Sequence, residues 1–293
     1  MQLTLPAVPP FSFAAVVESH GWAQLAPFRI DATGGLTYVD LLDSGRVVAL
    51  CIREAPGGIE AAVDEALDAE EECQVARHAT WMFGLDQNLT PFYNLARAEP
   101  KLARTEARAQ GRVLRCPTLF EDTVKTMLTV NTSWAGTIRM VDALVAQFGD
   151  PLPEDPLQRA FPTADRLAAV DEVTLRTQTR LGFRAPSVLQ LARKVASGSL
   201  DLESLKSAEI PTGELRQRLL GIRGVGPYAA ANLLMILGRY DAIPIDSWAL
   251  KMVSHEWHDG QPVGPDDVEA AFERWGEWKG LAYWFWDWSV TAA

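Results

Sequence analysis

Leu219-Leu220-Gly221-Ile222-Arg223-Gly224-Val225-Gly226-Pro227-Tyr228-Ala229-Ala230, with Asp246 eighteen residues beyond Tyr228, says more about this chain than any other segment. Its centre, Gly224-Val225-Gly226, lies between two apolar segments with helical spacing. Glycines at such a joint let the backbone turn tightly and leave the amides at the start of the next helix bare. Bare amides and the positive end of a helix together suit an anion such as a phosphate. A plain helical hairpin has the same glycines, so Gly-x-Gly by itself carries little. The second half of the signal is Ile243-Pro244-Ile245-Asp246-Ser247-Trp248, which sets an acid directly after a proline-marked apolar step and at the start of another helical pattern.

Residues 1–62 carry short alternating segments with turn signals between them. Residues 27–31, 36–41 and 46–52 read as strands, punctuated by Gly34-Gly35 and Asp43-Ser44-Gly45. From about Ala61 the spacing turns helical, over 61–83, 118–131, 136–148, 186–197, 214–220, 227–238, 247–257 and 266–276. The Pro-rich stretch 151–163 reads as a surface connector. The expected fold class is α+β, a small N-terminal antiparallel sheet domain over 1–115 joined to a mostly helical body over 116–293.

A hydrophobic content of 48% is ample for real cores, and no apolar run approaches the ~20 residues that span a bilayer. No secretion signal is visible in the opening Met1-Gln2-Leu3-Thr4-Leu5-Pro6. Cys51, Cys73 and Cys116 fit neither a disulfide framework nor a zinc spacing, which makes the cytoplasm the expected location. A net charge of −11 argues against non-specific coating of nucleic acid. The charge is segregated, however. Six acids crowd Asp64–Glu72, whereas Lys101, Arg104, Arg108, Arg112 and Arg115 form a basic stretch, and Arg176, Arg180, Arg184, Arg193 and Lys194 form another. Arg216, Arg218 and Arg223 precede the hairpin glycines.

The hairpin followed by a proline step and an Asp resembles the helix-hairpin-helix, Gly/Pro-Asp (HhH-GPD) superfamily of DNA base-excision glycosylases, with Gly224, Gly226, Pro244 and Asp246 at the family's named positions. The segments Trp81–Leu89 and Leu119–Gly149 are similar to the branch that holds 8-oxoguanine DNA glycosylase and bacterial 3-methyladenine glycosylase II. The resemblance runs over most of the chain and is weakest in residues 1–60. It implies that Gly224, Val225 and Gly226 grip a phosphate of double-stranded DNA, with a monovalent cation on the carbonyls of Gly221 and Gly224. It also implies that Asp246 is the catalytic carboxylate, although an Asp there also suits a helix N-cap. Some members carry a four-cysteine iron–sulfur loop near the C-terminus. No cysteine follows Cys116, which excludes that cluster here, and no cofactor is required.

Bifunctional relatives place a lysine two residues after the second glycine of the hairpin, where its amine forms a Schiff base with the sugar. That place is Tyr228 here, and a phenol cannot form one. Lys251 lies five residues after Asp246, about one and a half helical turns away. Hydrolysis by water without a lyase step is therefore expected. Asn131 matches the position at which the 8-oxoguanine branch contacts the base orphaned by flipping, and Leu181-Gly182-Phe183-Arg184-Ala185 resembles its Gly-Tyr-Arg-Ala loop. Phe183 is then a wedge and Arg184 a donor to the orphan base. The second arginine of that pattern is Gly136 here, which argues against strict recognition of an opposite cytosine.

Ten tryptophans are many, and six of them lie between Trp257 and Trp288. Most read as core, because indoles are large and bury well. Tyr228, Trp248 and Tyr283 fall at family positions facing the base pocket, with Trp22 a further candidate from the sheet domain. The expectation is a monomeric, monofunctional glycosylase for alkylated bases of the 3-methyladenine type. The alternatives are a glycosylase for oxidised or deaminated purines and a non-catalytic DNA-binding module.

Overall fold

Alternation in the first 62 residues closes into one antiparallel sheet in the computed structural model, which describes residues 1–289. Its strands are β1 (Gln2–Pro6), β2 (Phe28–Ile30), β3 (Leu36–Leu41), β4 (Val47–Ala55) and β5 (Gly58–Ala62), in the spatial order β1-β5-β4-β3-β2. The register pairs Leu3 with Ala61, Ile52 with Ala61, Tyr38 with Leu50 and Phe28 with Tyr38. The alternation predicts β2, β3 and β4 and misses β1 and β5. Gly58-Ile59-Glu60-Ala61-Ala62 has the residues of a helix start, but pairing on both sides holds it as a strand.

The helix predicted from residue 61 accordingly begins later, at Ala69–Phe83. Asp68 caps it by accepting from the Glu70 and Glu71 amides, and the Asp68 amide in turn donates to the Glu71 carboxylate. Much of the acidic run is therefore a helix cap. Gly84, at φ 57°, ends the helix in the left-handed conformation that glycine tolerates. The stretch 151–163 is more than a surface connector. Leu152 and Ala160 bury against Val39 of β3, and Pro151 bridges to Arg159.

The chain forms two compact units, each built from two segments. One comprises Met1–Gln87 with Arg112–Ser207, the other Asn88–Gly111 with the residues from Ala208 onward. In the first, the sheet packs with the helix Leu119–Thr129, whose Glu121, Asp122 and Lys125 are fully buried. Burying three ionisable groups is costly unless each is paired. Here Tyr38 Oη donates to Glu121 (2.5 Å), Lys125 Nζ pairs with Glu121 (2.7 Å), and Trp22 Nε1 donates to Asp122 Oδ1 (2.7 Å). The Cys116 amide also donates to Asp122.

Burial raises the Asp122 carboxyl to about 6, against the hydrogen bonds from Trp22 and Cys116 that favour its charged form. A carboxyl whose folded value lies above its unfolded one holds extra protons in the folded state, so stability falls as pH rises from about 4 to 6. Asp122→Asn removes that loss. Its stability relative to the parent chain is expected to rise by about 3 kcal/mol across this window. Denaturant unfolding at pH 4 and pH 7 measures it, and a pH-independent difference contradicts it. The neighbouring His20 titrates in the opposite sense. Its Nδ1 accepts from the Trp22 amide and its Nε2–H donates to the Leu114 carbonyl, an arrangement open only to the neutral ring. Burial depresses it to about 4.

The second unit packs the helices Thr90–Ala96, Thr212–Leu220, Pro227–Ile236, Ser247–Trp257, Pro265–Phe272 and Lys279–Trp284. The helix read over 266–276 ends at Phe272 and continues as a tighter turn through Trp278, with Gly276 at φ 54°. Of the six tryptophans at this end, Trp275, Trp286 and Trp288 are buried, Trp278 and Trp284 are half-buried and Trp257 is exposed, so half of them are core where most were expected to be. Phe272 lies 5.3–6.1 Å, ring to ring, from Trp257, Trp275, Tyr283, Trp286 and Trp288. Among the described residues no helix is long and apolar enough to cross a membrane.

Candidate active site

The hairpin forms because the helix Thr212–Leu220 runs out at Gly221 and the next begins at Pro227, where the missing proline amide costs nothing. Ile222 and Val225 bury and pin the turn, while Gly224 takes φ 91°. Gly224 is thus required by conformation. Gly226 is not. Its φ is −92°, and a Cβ built on it meets nothing within 4 Å. No side chain caps the helix Pro227–Ile236, so its first amides point outward. The Ile222 carbonyl is taken by the Val225 amide. The Gly221 and Gly224 carbonyls receive no backbone hydrogen bond among the described residues, and two such oxygens suit the monovalent cation expected there.

Asp246 is exposed at the N-cap of Ser247–Trp257, where its Oδ1 accepts from the Ala249 amide at 2.8 Å. The cap fixes one oxygen and the rotamer. Tyr283 lies close enough for the charges of Asp246 and, after it, Tyr228 to act on its phenol. Burial comes first among the causes, and together they push that phenol far above the ordinary tyrosine range, so it stays a neutral donor. Trp248, 45% exposed, makes edge contacts with Tyr283 (6.3 Å) and Trp288 (5.5 Å). Asp246, Tyr228, Trp248 and Tyr283 therefore share one neighbourhood of the second unit. Lys251 is exposed on the helix that Asp246 caps.

The remaining candidates belong to the first unit. Asn131 is exposed at φ 51°, in the turn between the helices Leu119–Thr129 and Trp134–Phe148. Phe183 is 65% exposed, as a wedge requires. Arg184 is buried, against the expectation of an open donor, and its guanidinium is turned onto the carbonyls of Val130 and Asn131. Trp22 is buried as well, with its indole N–H committed to Asp122. Trp134 had drawn no attention in the sequence. It is partly exposed three residues after Asn131, its ring occupies the space that a Cβ on Gly21 would take, and its Nε1 donates to Gln24 (2.9 Å).

The basic stretch 101–115 is an open cationic face only at Arg104 and Arg108, which are exposed. Arg112 is buried and donates to the carbonyls of Val8, Pro10, Gly84 and Gln87. Arg115 is buried over the Trp81 ring, and Lys101 pairs with Glu256 at 2.9 Å. None of these commitments has a local sequence signal, because every partner is distant in the chain.

Residues 124–277, which include both the hairpin and Asp246, match the model of the HhH-GPD superfamily of base excision DNA repair proteins. The chain belongs to that superfamily. It is 28% identical over 221 residues to the DNA-3-methyladenine glycosylase of Bacillus subtilis (strain 168), covering 74% of this chain and 72% of that one. The fold is that of the 3-methyladenine DNA glycosylase from Archaeoglobus fulgidus, with a TM-score of 0.75 at 22% identity over 97% of this chain and 96% of that one. It is equally that of the Clostridium acetobutylicum 8-oxoguanine glycosylase/lyase, solved with DNA containing cytosine opposite 8-oxoguanine. There the TM-score is 0.73 at 20% identity over 96% and 92% of the two chains. The expected superfamily, branch and α+β fold therefore hold.

Proposed function

We propose that this base excision repair protein is a monofunctional DNA glycosylase that removes alkylated bases of the 3-methyladenine type from duplex DNA. The observation that carries the reading is that the carboxyl group of Asp246 shares a neighbourhood with the electron-rich rings of Tyr228, Trp248 and Tyr283, with a tyrosine and no lysine at the hairpin position. An alkylated purine is electron-poor and stacks on such rings much as a cation does. Its bond to the sugar is also weakened, so a carboxylate is the main aid that the reaction needs.

The target nucleotide leaves the stack, and Asn131 and Phe183 occupy the gap. As the C1′–N bond breaks, its electron pair leaves with the base and positive charge grows on the sugar. Asp246 stabilises that charge electrostatically and orients a water that adds to C1′. The alkylated base, cationic while bound to the sugar, takes the electron pair and leaves neutral; the added water gives its proton to Asp246 and from there to solvent, and an abasic site remains. The hairpin amides hold the backbone phosphate beside the lesion throughout. Gly226 supports this part of the reading, because neither conformation nor packing within the chain calls for glycine there. A glycine is useful when another backbone must come close.

Methylated duplex incubated with the protein should stay intact until alkali or heat breaks its abasic sites, and borohydride should trap no covalent adduct. Strand cleavage without alkali, or a trapped adduct, would show that some amine replaces the missing lysine. An 8-oxoguanine duplex run in parallel tests the second reading, which the exposed Asn131 and Phe183 favour. Faster cleavage of that duplex would replace the alkylated base as substrate.

A further inference from the structure

The loop that follows Thr179 presents two neighbouring side chains in opposite ways. Gly182, at φ 57°, turns the chain so that Phe183 stands 65% exposed while Arg184 is buried to 9%. The Arg184 guanidinium donates through Nη2 to the carbonyls of Val130 and Asn131, the latter at 3.1 Å, and its Nη1 lies 3.9 Å from Met140 Sδ. Its central carbon sits 4.3 Å from the centroid of the Phe183 ring. Both carbonyls follow the helix Leu119–Thr129, at the end where its dipole is negative and favours a cation. The same turn carries Asn131 at φ 51°, a strained conformation that needs support from its surroundings.

One guanidinium thus ties the turn that presents Asn131 to the ring of Phe183. We propose that Arg184 is a positioning residue that locks these two gap-filling side chains together, so that the chain excises its base with little regard to the base opposite. This rests on the DNA-repair reading above and deepens it. To reach a base edge, Arg184 would have to give up its bonds to both carbonyls, which lie in a partly buried place. Gly136, at the place where the resemblance puts a second arginine, supplies no second donor.

The test uses duplexes with a tetrahydrofuran abasic site opposite each of the four bases, so that no turnover is needed. The unsubstituted chain is expected to bind all four within about threefold, because a base pair that is read costs roughly 5- to 150-fold when wrong. Arg184→Ala should weaken all four alike by about tenfold, while binding to undamaged duplex changes little. Adding Asn131→Ala to Arg184→Ala should weaken binding by less than about threefold more, because the brace and the braced residue act as one. Arg184→Lys, which cannot span both carbonyls with a planar fork, should fall between. It also serves as the second variant if Arg184→Ala does not fold.

A preference of tenfold or more for one opposite base that Arg184→Ala erases would overturn the proposal. So would fully additive losses in the double variant. Failure of the unsubstituted chain to bind any of the four duplexes would defeat the repair reading itself, and it is recognisable because no variant is involved.

Discussion

Asp246→Asn is expected to bind damaged duplex as the parent chain does and to lose turnover by about 100-fold or more. The substitution separates two roles that Asp246 holds at once. As an N-cap it accepts a hydrogen bond from the Ala249 amide, and asparagine does this equally well. As a carboxylate it supplies negative charge beside a sugar that becomes positive, and asparagine has none. The fold should therefore survive intact while the chemistry does not. Single-turnover base release, with binding and thermal unfolding measured on the same preparation, checks all three. Turnover within a few-fold of the parent chain would leave Asp246 a cap and nothing more.

The second large effect is expected at the hairpin, where two glycines give opposite results. Gly226→Ala should cost stability only about 1 kcal/mol or less, since its φ is ordinary and its Cβ points into open space. Its affinity for duplex should nevertheless fall by about 100-fold. The added methyl stands where the phosphate approaches and breaks one or two charge-assisted hydrogen bonds of about 1.5–3 kcal/mol each. Gly224→Ala should instead destabilise the chain by about 1–3 kcal/mol, because φ 91° strains any other residue. Unfolding curves and a salt-controlled binding titration read both. Unchanged DNA affinity in Gly226→Ala would remove the phosphate grip.

What the sequence made legible was local. The hairpin and Asp246 are short motifs whose geometry follows from glycine, proline and cap chemistry, and β3 and β4 announce themselves by alternation between turn signals. Features that depend on distant partners stayed hidden. β5 has helix-forming residues and is a strand only because β1 and β4 flank it. Arg184 reads as an available donor until the carbonyls of Val130 and Asn131, more than fifty residues back, are seen to hold it. Trp22 looks like an aromatic free to stack, yet Asp122 a hundred residues away takes its N–H. Two residues of the basic stretch 101–115 failed in the same way. Arg112 and Arg115 are charges in the sequence but internal struts in the fold.

The central claim is that a carboxylate among aromatic rings hydrolyses the base–sugar bond of an alkylated purine. Chromatography of the free bases released from methylated duplex DNA by the unsubstituted protein tests it most directly. The account predicts that 3-methyladenine appears as free base while the strand remains unbroken. Release of no methylated base at all, under conditions where the protein binds the duplex, would contradict it.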